Sequence, residues 1–220
     1  MSFTSEDFQK ATGVSRETLE AFERWRLLLD ETNRTTNLVG RSTMADFWKR
    51  HALDGIQLLD HAPENGKSWL DFGAGAGIPG IAIALAMKDC GLSESTLLMV
   101  ESVGKKARFI ERSLEVTGAP GRIENCRIEA LDPENRFDVI TARAVAALDK
   151  LLWYTFPLLK SEGICLFPKG QRYRQELTDA RKYWTFDEDV LPSLTSDDGV
   201  ILRLSAIRPK KGNRHARHPA

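Results

Sequence analysis

The stretch that decides the fold is LDFGAGAGIPG, residues 70–80. A short apolar run leads into it, and a second apolar run follows it. Glycine has no Cβ, so it adopts positive φ without strain and lets another group come close to the backbone. The pattern predicts a strand that ends in a tight turn, followed by a helix that begins near Pro79. The four glycines of the turn are Gly73, Gly75, Gly77 and Gly80.

Strand and helix patterns alternate from residue 68 onward, which predicts a parallel sheet with helices on both faces. Two last strands, 183–191 and 200–208, predict an antiparallel hairpin at the sheet edge. The expected fold class is therefore α/β and Rossmann-like, with a seven-stranded, mostly parallel sheet. The earlier candidate strands are 68–73, 96–101, 122–127, 137–142 and 163–168, and the candidate helices are 79–88, 104–117, 147–159 and 171–182.

The first 65 residues have a helical pattern and predict an extension ahead of the sheet. Ser15 is a candidate N-cap, and the apolar residues after it recur on one side of a helix. A second helix is expected from near Thr43, with His51 on its apolar face. We expect three parts: the helical extension (1–65), a core that contains the sheet (66–208) and a basic tail (209–220).

The charge of the chain is unevenly distributed. The formal net charge is zero over 220 residues, but residues 208–220, RPKKGNRHARHPA, hold five Lys or Arg and no acid. The rest of the chain therefore has a net charge of −5. A basic tail on an acidic body indicates either a polyanionic partner or a disordered segment that aids solubility.

The composition is that of a globular protein, with 42% hydrophobic and 28% charged residues. No apolar run is long enough to span a bilayer, and the N-terminal MSFTSEDFQK lacks the features of a signal peptide. The cysteines, Cys90, Cys126 and Cys165, are widely spaced and indicate neither a disulfide framework nor a zinc site. We expect a monomer in the cytoplasm, without a metal and without a membrane partner.

Two overlapping frames of the glycine loop match two nucleotide-like cofactors. The G-x-G-x-x-G frame at 75–80 satisfies the dinucleotide fingerprint, and Glu101 follows 21 residues later, near the usual place of the ribose-binding acid. The D-x-G-x-G-x-G frame at 71–77 is similar instead to the loop of S-adenosylmethionine-dependent methyltransferases. Glu101 ends the second predicted strand in either frame, where its carboxylate can accept both ribose hydroxyls.

Other features favour S-adenosylmethionine. The chain has no Tyr-x-x-x-Lys pair of a short-chain dehydrogenase, and no second domain remains for a hydride acceptor. The edge hairpin after the fifth strand is expected of the methyltransferase sheet. Ligands of such sheets bind beyond the carboxyl ends of the strands. The loop glycines Gly73, Gly75 and Gly77, together with Glu101, are therefore the candidate cofactor-binding residues.

Seven segments are spread along the chain in this order: NLVG (37–40), KRHALDGIQLL (49–59), LDFGAGAGIPGIAIA (70–84), GKKARFI (104–110), RIEAL (127–131), FDVITARAVAAL (137–148) and LLKSEGICLFPKG (158–170). Together they resemble the bacterial 16S ribosomal RNA guanine-N7 methyltransferases of small-subunit type G, also called glucose-inhibited division protein B. The similarity covers about residues 16–182. Gly55 stands where the family often has Ser, and Glu101 where an Asp is common.

The resemblance implies a class I methyltransferase fold, S-adenosylmethionine as the cofactor, and methyl transfer to N7 of a guanine in 16S ribosomal RNA of the small ribosomal subunit. It also implies that Gly73 and Ile78 line the cofactor site. Ile128 and Glu129 after the third strand, and Arg143 after the fourth, join them by the same resemblance.

Arg143 is the candidate catalytic residue. It lies in ITARAVAAL, among apolar and small residues at the carboxyl end of a predicted strand. A buried charge at such a place needs a partner. The partner is either a local carboxylate such as Asp138 or Asp149, or the cofactor carboxylate or the RNA.

Three further residues are candidates for substrate binding. Arg50 is four residues before Asp54 on the second helix, and the two are either a surface pair or part of the site. His51 is either a hydrogen-bonded core histidine or a residue beside the cleft. Lys169 is either a contact to an RNA phosphate or an ordinary loop lysine.

Little catalytic machinery is expected for this reaction. Methyl transfer from a sulfonium is an in-line displacement, for which the protein supplies position and orientation. N7 of guanine has a lone pair and no proton, so no general base is required. Cys126 and Cys165 fall inside predicted strands, which does not suit a cysteine nucleophile, and no Asn/Asp-Pro-Pro-aromatic motif follows the fourth strand. A small-molecule methyltransferase and a non-catalytic RNA-binding factor are the alternatives.

Overall fold

One seven-stranded sheet forms the middle of the protein in this computed structural model, which describes residues 3–64 and 66–211. The strands are β1 (Ser68–Phe72), β2 (Thr96–Val100), β3 (Arg122–Glu124), β4 (Phe137–Thr141), β5 (Leu159–Lys169), β6 (Trp184–Pro192) and β7 (Val200–Pro209). Their order in the sheet is β3-β2-β1-β4-β5-β7-β6. β1 to β5 are parallel, and β7 is antiparallel to both of its neighbours. The predicted sheet with its edge hairpin is confirmed.

The described α-helices are α1 (Ser5–Thr12), α2 (Arg16–Asn33), α3 (Arg41–Met44), α4 (Asp54–Ile56), α5 (Gly80–Ala86), α6 (Gly104–Thr117), α7 (Leu148–Thr155) and α8 (Tyr173–Ala180). The last four follow β1, β2, β4 and β5, as the sequence predicted. Ser15 caps α2, because its hydroxyl accepts a hydrogen bond from the Thr18 backbone N–H at 3.2 Å. Within the described part of the chain, no helix has the length and apolar character needed to cross a membrane.

Three predicted element ends differ from the structure by more than two residues. β5 begins at Leu159, four residues before the predicted start at residue 163. β3 ends at Glu124, so Cys126 lies beyond the strand and not inside it. The Asn125 side chain donates to the Glu101 carbonyl at 2.7 Å, and the chain turns there. α7 ends at Thr155, not at residue 159, because Pro157 has no backbone N–H and the chain continues as a 3₁₀ turn.

The second helix of the extension is broken where the sequence predicted a continuous one. After α3, residues Trp48–Leu53 form a π-helical turn that runs directly into α4. Gly55 lies at the closest approach to α5, where a Cβ would be 2.5 Å from the Ala82 Cβ. This segment therefore packs directly against the helix that follows the glycine loop.

Alternation along the strands divides the core into two buried layers. Trp69, Met99 and Val139 face one side of the sheet, where they pack with residues of α1, α2, α5 and α6. Leu70 and Ile140 face the other side, which α7 and α8 cover. Helices on both faces are thus confirmed.

The N-terminal extension shares the first of these two layers. Phe8, Phe22 and Trp25 are fully buried, and they belong to the same hydrophobic cluster as Trp69 of β1. Phe8 and Phe22 make an edge-to-face contact with ring centroids 5.0 Å apart. The extension is therefore packed on the sheet. The division at residues 65 and 208 stays a prediction, and residues 212–220 of the predicted tail lie outside the described residues.

Substitution of Gly80 tests the packing at the start of α5. A Cβ at Gly80 would be 2.6 Å from the Met99 sulfur and 2.7 Å from the Asp71 carboxylate, both buried. We expect Gly80→Ala to lower the free energy of unfolding by about 1–3 kcal/mol through overpacking. Urea unfolding measures it.

The matched control is Gly170→Ala, because a Cβ at Gly170 would meet nothing within 4 Å. That variant is expected to unfold within about 0.5 kcal/mol of the wild type. Equal stability of the two alanine variants would contradict the packing described for α5.

Candidate active site

The glycine loop has the backbone that its sequence predicted. Gly73, Gly75 and Gly77 have φ of 64°, 60° and 80°. The loop joins the carboxyl end of β1 to α5, and the Ala74 N–H donates to the Val100 carbonyl of β2 at 3.1 Å. The loop is therefore attached to two neighbouring strands.

The glycines differ in what surrounds them. A Cβ at Gly75 would have only the Gly73 carbonyl within 4 Å, at 3.8 Å, so the space above Gly75 is open. A Cβ at Gly73 would be 2.5 Å from the Val145 side chain, and one at Gly77 would overlap Ile81. Gly75 is thus the loop position that leaves room for a bound group.

Glu101 lies directly beside this open position. Its side chain is 5% exposed, and its two carboxylate oxygens accept from the Gly75 and Val103 backbone N–H groups, each at 2.8 Å. A carboxylate oxygen has two lone pairs, so both oxygens retain acceptor capacity. An open glycine next to a fixed carboxylate fits a ribose-containing cofactor.

Asp71 is buried beneath the loop with no exposed surface. One carboxylate oxygen accepts from the Gly80 N–H at 3.0 Å, and the other accepts from the Thr141 hydroxyl at 2.9 Å. Burial raises the pKa of Asp71 to about 7, against the effect of these two hydrogen bonds. Asp71 therefore connects the start of α5 to the end of β4.

The other predicted cofactor residues are Ile78, which belongs to the loop, and Ile128 and Glu129, which follow β3. Ile78 is 5% exposed and packs in the hydrophobic cluster of the extension. Ile128 and Glu129 form a 3₁₀ turn after β3 and are partly exposed. Their contacts with a cofactor stay predictions.

A cavity of about 600 Å³ lies at the same edge of the sheet. The structure brings Arg50, His51, Arg143 and Lys169 together in its wall, although they come from three separate parts of the chain. The turn between β6 and β7 closes another side of the cavity with Thr195. All three predicted substrate-binding residues thus line one space with Arg143.

Arg143 has a partner that the sequence interpretation did not choose. Its Nη1 donates to Asp54 Oδ2 at 2.7 Å and to the Arg50 carbonyl at 2.9 Å. Asp138, considered as a partner, instead pairs with Lys160 at 2.9 Å. Asp54 therefore forms its ion pair across the cavity and not with Arg50 along the helix surface.

Lys169 is the last residue of β5, and its side chain is 9% exposed. The ammonium donates to Glu176 at 2.7 Å and to the Ala146 carbonyl at 3.1 Å. Glu176 also accepts from the Leu148 N–H at 2.9 Å. Lys169 is thus held against the β4–α7 loop, and its contact with an RNA phosphate stays a prediction.

His51 is 2% exposed, and neither ring nitrogen has a hydrogen-bond partner within the described residues. Burial and the nearby positive charge of Arg143 lower the pKa of His51 to about 4. The imidazole is therefore neutral at pH 7. It lines the cavity and also packs edge-to-face on Phe47, with ring centroids 5.9 Å apart, so the structure combines both positions expected from the sequence.

The sequence interpretation missed three side chains of the site. The sequence offers Asp54 only as a neighbour of Arg50, and it gives no signal for Glu176 or Thr195. Glu176 is in α8, seven residues after Lys169, and Thr195 lies in a turn between two edge strands. Of these three, only Asp54 is indicated by the sequence, through its i, i+4 spacing from Arg50. That spacing indicates Arg50 as its ion-pair partner, whereas the structure pairs it with Arg143.

Solved structures share this fold. A putative O-methyltransferase from Klebsiella pneumoniae matches with a TM-score of 0.60 at 13% identity, covering 93% of this chain and 96% of that one. A ribosomal protein L11 methylase from Lactobacillus delbrueckii subsp. bulgaricus matches with a TM-score of 0.54 at 19% identity, covering 69% and 75%. Likeness at these identities shows the fold alone: this is the class I methyltransferase fold.

Comparison of the sequence with known proteins identifies the family within this fold class. The family model described as rRNA small subunit methyltransferase G, GidB, matches residues 18–200. The Ribosomal RNA small subunit methyltransferase G of Methylobacterium sp. is 45% identical over 199 residues, 89% of this chain and 92% of the relative. That of Rhodospirillum centenum is 42% identical over 209 residues, 95% and 94%. The chain belongs to the rRNA small subunit methyltransferase G family, which confirms the resemblance.

The shifted pKa values of Asp71 and His51 predict opposite effects of pH on the free energy of unfolding. The folded state keeps a proton on Asp71 that the unfolded chain loses, so the free energy of unfolding falls as the pH rises from about 4 to 7. The unfolded chain binds a proton at His51 that the folded state excludes, so the same free energy rises between about pH 4 and 6.5. In the wild type the two effects largely cancel.

Two variants separate these effects by urea unfolding between pH 4 and 7. His51→Leu should remove the rise, which amounts to about 3 kcal/mol. Asp71→Asn should remove the fall, so its stability should increase with pH more steeply than that of the wild type. Variants whose pH curves run parallel to the wild-type curve would show that neither group titrates as described.

Proposed function

We propose that the protein transfers a methyl group from S-adenosylmethionine to N7 of a guanine in 16S ribosomal RNA of the small subunit. Family membership supports the reaction class and the ribosomal RNA substrate. The observation that carries the proposal is the convergence of Arg50, Arg143 and Lys169 on one cavity at the carboxyl edge of the sheet; the described residues that line it do not include the glycine loop or Glu101. The cytoplasm, where ribosomal subunits are found, is the proposed location.

The glycine loop and Glu101 are the proposed holders of the cofactor. The open space above Gly75 accepts a bound group, and the Glu101 carboxylate beside it suits the ribose hydroxyls. Gly73, Gly77, Ile78, Ile128 and Glu129 surround this place in the proposal. When bound, the cofactor supplies an electrophilic methyl group on a sulfonium.

Arg143 is proposed to orient the reacting groups. N7 must keep its lone pair free for the methyl group, so the guanidinium is suited to hold guanine through O6, the other acceptor on the same edge. Arginine stays charged throughout the working pH range, so it exchanges no proton in the reaction. The neutral His51 in the same wall adds no charge that would repel the sulfonium. Position and orientation are thus the contributions of the chain.

Among the described residues, the cavity wall holds three cations, Arg50, Arg143 and Lys169, against two acids, so a net charge of +1 remains there. Positive charge suits an RNA substrate, because Lys and Arg near phosphates release counterions and add affinity. Arg50 is part of the cavity wall, and the basic tail 209–220 supplies further cations in the proposal. The structural role of the tail stays a prediction.

The cofactor proposal is tested at Gly75 and Glu101 by calorimetry with S-adenosylmethionine. Gly75→Ala fills the open space, and Glu101→Gln removes the charge from hydrogen bonds of about 1.5–3 kcal/mol each. Each change should weaken binding by about 10-fold or more.

Gly118→Ala is the matched control for Gly75→Ala. Gly118 also has positive φ, 69°, and a Cβ there would meet nothing within 4 Å, but it ends α6 away from the loop. It should keep wild-type affinity despite similar backbone strain. Unchanged affinity in both Gly75→Ala and Glu101→Gln would refute the cofactor site.

The reaction is tested with a labelled methyl group and unmodified 16S ribosomal RNA or small subunits. The product nucleoside is expected to be 7-methylguanosine. Arg143→Ala should lower turnover on the order of 100-fold, as loss of an orienting charged donor does. Arg143→Lys should recover only part, because a point charge does not replace a planar fork.

Arg112→Ala is the control for these variants, because Arg112 forms an exposed ion pair on α6 at 3.0 Å from Glu115 and does not line the cavity. It should retain full turnover. Label in any other nucleoside, or full activity of Arg143→Ala, would overturn the assignment.

A further inference from the structure

Three distant parts of the chain meet at one carboxylate. Asp54 Oδ2 accepts from Arg143, 89 residues away, at 2.7 Å. Asp54 Oδ1 accepts from the Thr195 hydroxyl, 141 residues away, at 2.5 Å. The side-chain amide of Gln57 donates to the same oxygen at 3.1 Å. The helical extension, the end of β4 and the β6–β7 turn are thus joined through Asp54.

Gln57 extends this network to the backbone of the turn. Its side-chain oxygen accepts from the Leu194 N–H at 2.8 Å, and its side chain is 2% exposed. The Thr195 side chain is also buried, and its backbone N–H donates to Ser193 at 3.2 Å. The turn therefore holds Asp54 directly, through the Thr195 hydroxyl, and indirectly, through the Leu194 N–H that binds Gln57.

The network limits the movement of the Asp54 carboxylate. Its side chain is 13% exposed and that of Arg143 is 26% exposed, so water screens the pair less than an exposed one. Both oxygens have donors on different sides, so rotation of the carboxylate breaks at least one bond. The π-helical turn that ends at Leu53 places the Arg50 carbonyl as the second acceptor for Arg143. Such turns are frequent at functional sites.

The two hydrogen bonds described for Arg143 use only one of its guanidinium nitrogens. Both bonds are donated by Nη1, one of three nitrogens in a guanidinium that carries five N–H donors. The guanidinium is planar and rigid, so the bonds from Nη1 to Asp54 and to the Arg50 carbonyl also fix the direction of its other two nitrogens. Arg143 and Asp54 both line the cavity, so the orientation of the guanidinium decides which group in the cavity its other N–H donors can contact.

We propose that Asp54 is a positioning residue for the methyl transfer: it sets the direction of Arg143 in the cavity, and the turn that contains Thr195 sets Asp54. The proposal rests on the proposed function. A buried ion pair is weak evidence of stabilisation, since its desolvation offsets much of its attraction. The effect of this ion pair that matters for the reaction is that it holds the guanidinium in one orientation. Asp54 contacts no reacting atom in this scheme and acts through Arg143 alone.

The test is a double-mutant cycle on methyl transfer, with wild type, Asp54→Asn, Arg143→Ala and the double variant. Asp54→Asn should lower kcat/KM by about 10-fold or more in the wild-type background. In the Arg143→Ala background it should have less than about a 2-fold effect, because the group through which it acts is gone. Equal effects in the two backgrounds would overturn the proposal.

Thr195→Val provides a second variant that leaves the ion pair in place. It replaces a hydroxyl by a methyl group of similar size and removes one donor from Asp54. It should lower kcat/KM in the same direction and should also lose its effect when Arg143 is alanine. An effect that persists there would contradict the link from the turn to Arg143.

The control is Asp138→Asn. Asp138 is also half-buried, with 21% of its side chain exposed, and it pairs with Lys160 at 2.9 Å outside the cavity. It should reduce stability without changing kcat/KM. A similar loss of kcat/KM in this control would show that breaking any such pair impairs the enzyme, and the proposal would fail.

A readout without RNA separates this inference from the proposed function. In ¹⁵N NMR spectra of the protein alone, the Arg143 side-chain signal, identified by its loss in Arg143→Ala, should show restricted guanidinium rotation. Restriction should persist in Asp138→Asn and be lost in Asp54→Asn. Wild-type protein that methylates no RNA would refute the proposed function, whereas unrestricted rotation in the wild type would refute the positioning by Asp54.

Discussion

The site depends on one buried carboxylate, that of Asp71. It accepts from the Gly80 N–H, where α5 begins, and from the Thr141 hydroxyl, where β4 ends. A buried charge or acid without partners is costly, so both bonds must form together with the sheet. The carboxylate thereby fixes the far end of the glycine loop. It also fixes the end of β4, and Arg143 follows two residues later.

The N-terminal extension takes part in the site as well as in the core. Its aromatic residues pack on the sheet, and its broken second helix carries Arg50, His51 and Asp54 to the cavity. The close contact at Gly55 with α5 sets the distance between the extension and the glycine loop. Packing on one face of the sheet thus determines the geometry at its carboxyl edge.

Local sequence patterns predicted most of the fold. Alternating periodicity located the strands, and Ser15 marked the start of a helix, because a cap is satisfied within a few residues. One error arose at a contact from elsewhere in the chain, made by Asn125 after β3, and another at the local Pro157 that follows α7. In the site, the glycine loop and Glu101 lie together as predicted, and the cavity collects Arg50, His51, Arg143 and Lys169, while their roles stay proposals.

By itself, the sequence determined the glycine loop, its carboxylate neighbour and the family, since these depend on residue type and short spacing. Only the tertiary structure decided the partner of Arg143. Asp138 is near in sequence, but an extended strand rises about 3.3 Å per residue, which carries it toward the other end of β4. Asp54 is 89 residues away along the chain and 2.7 Å away in space. The packing of the extension on α5 places it there, because an ion pair depends on distance between charges and not on separation in sequence.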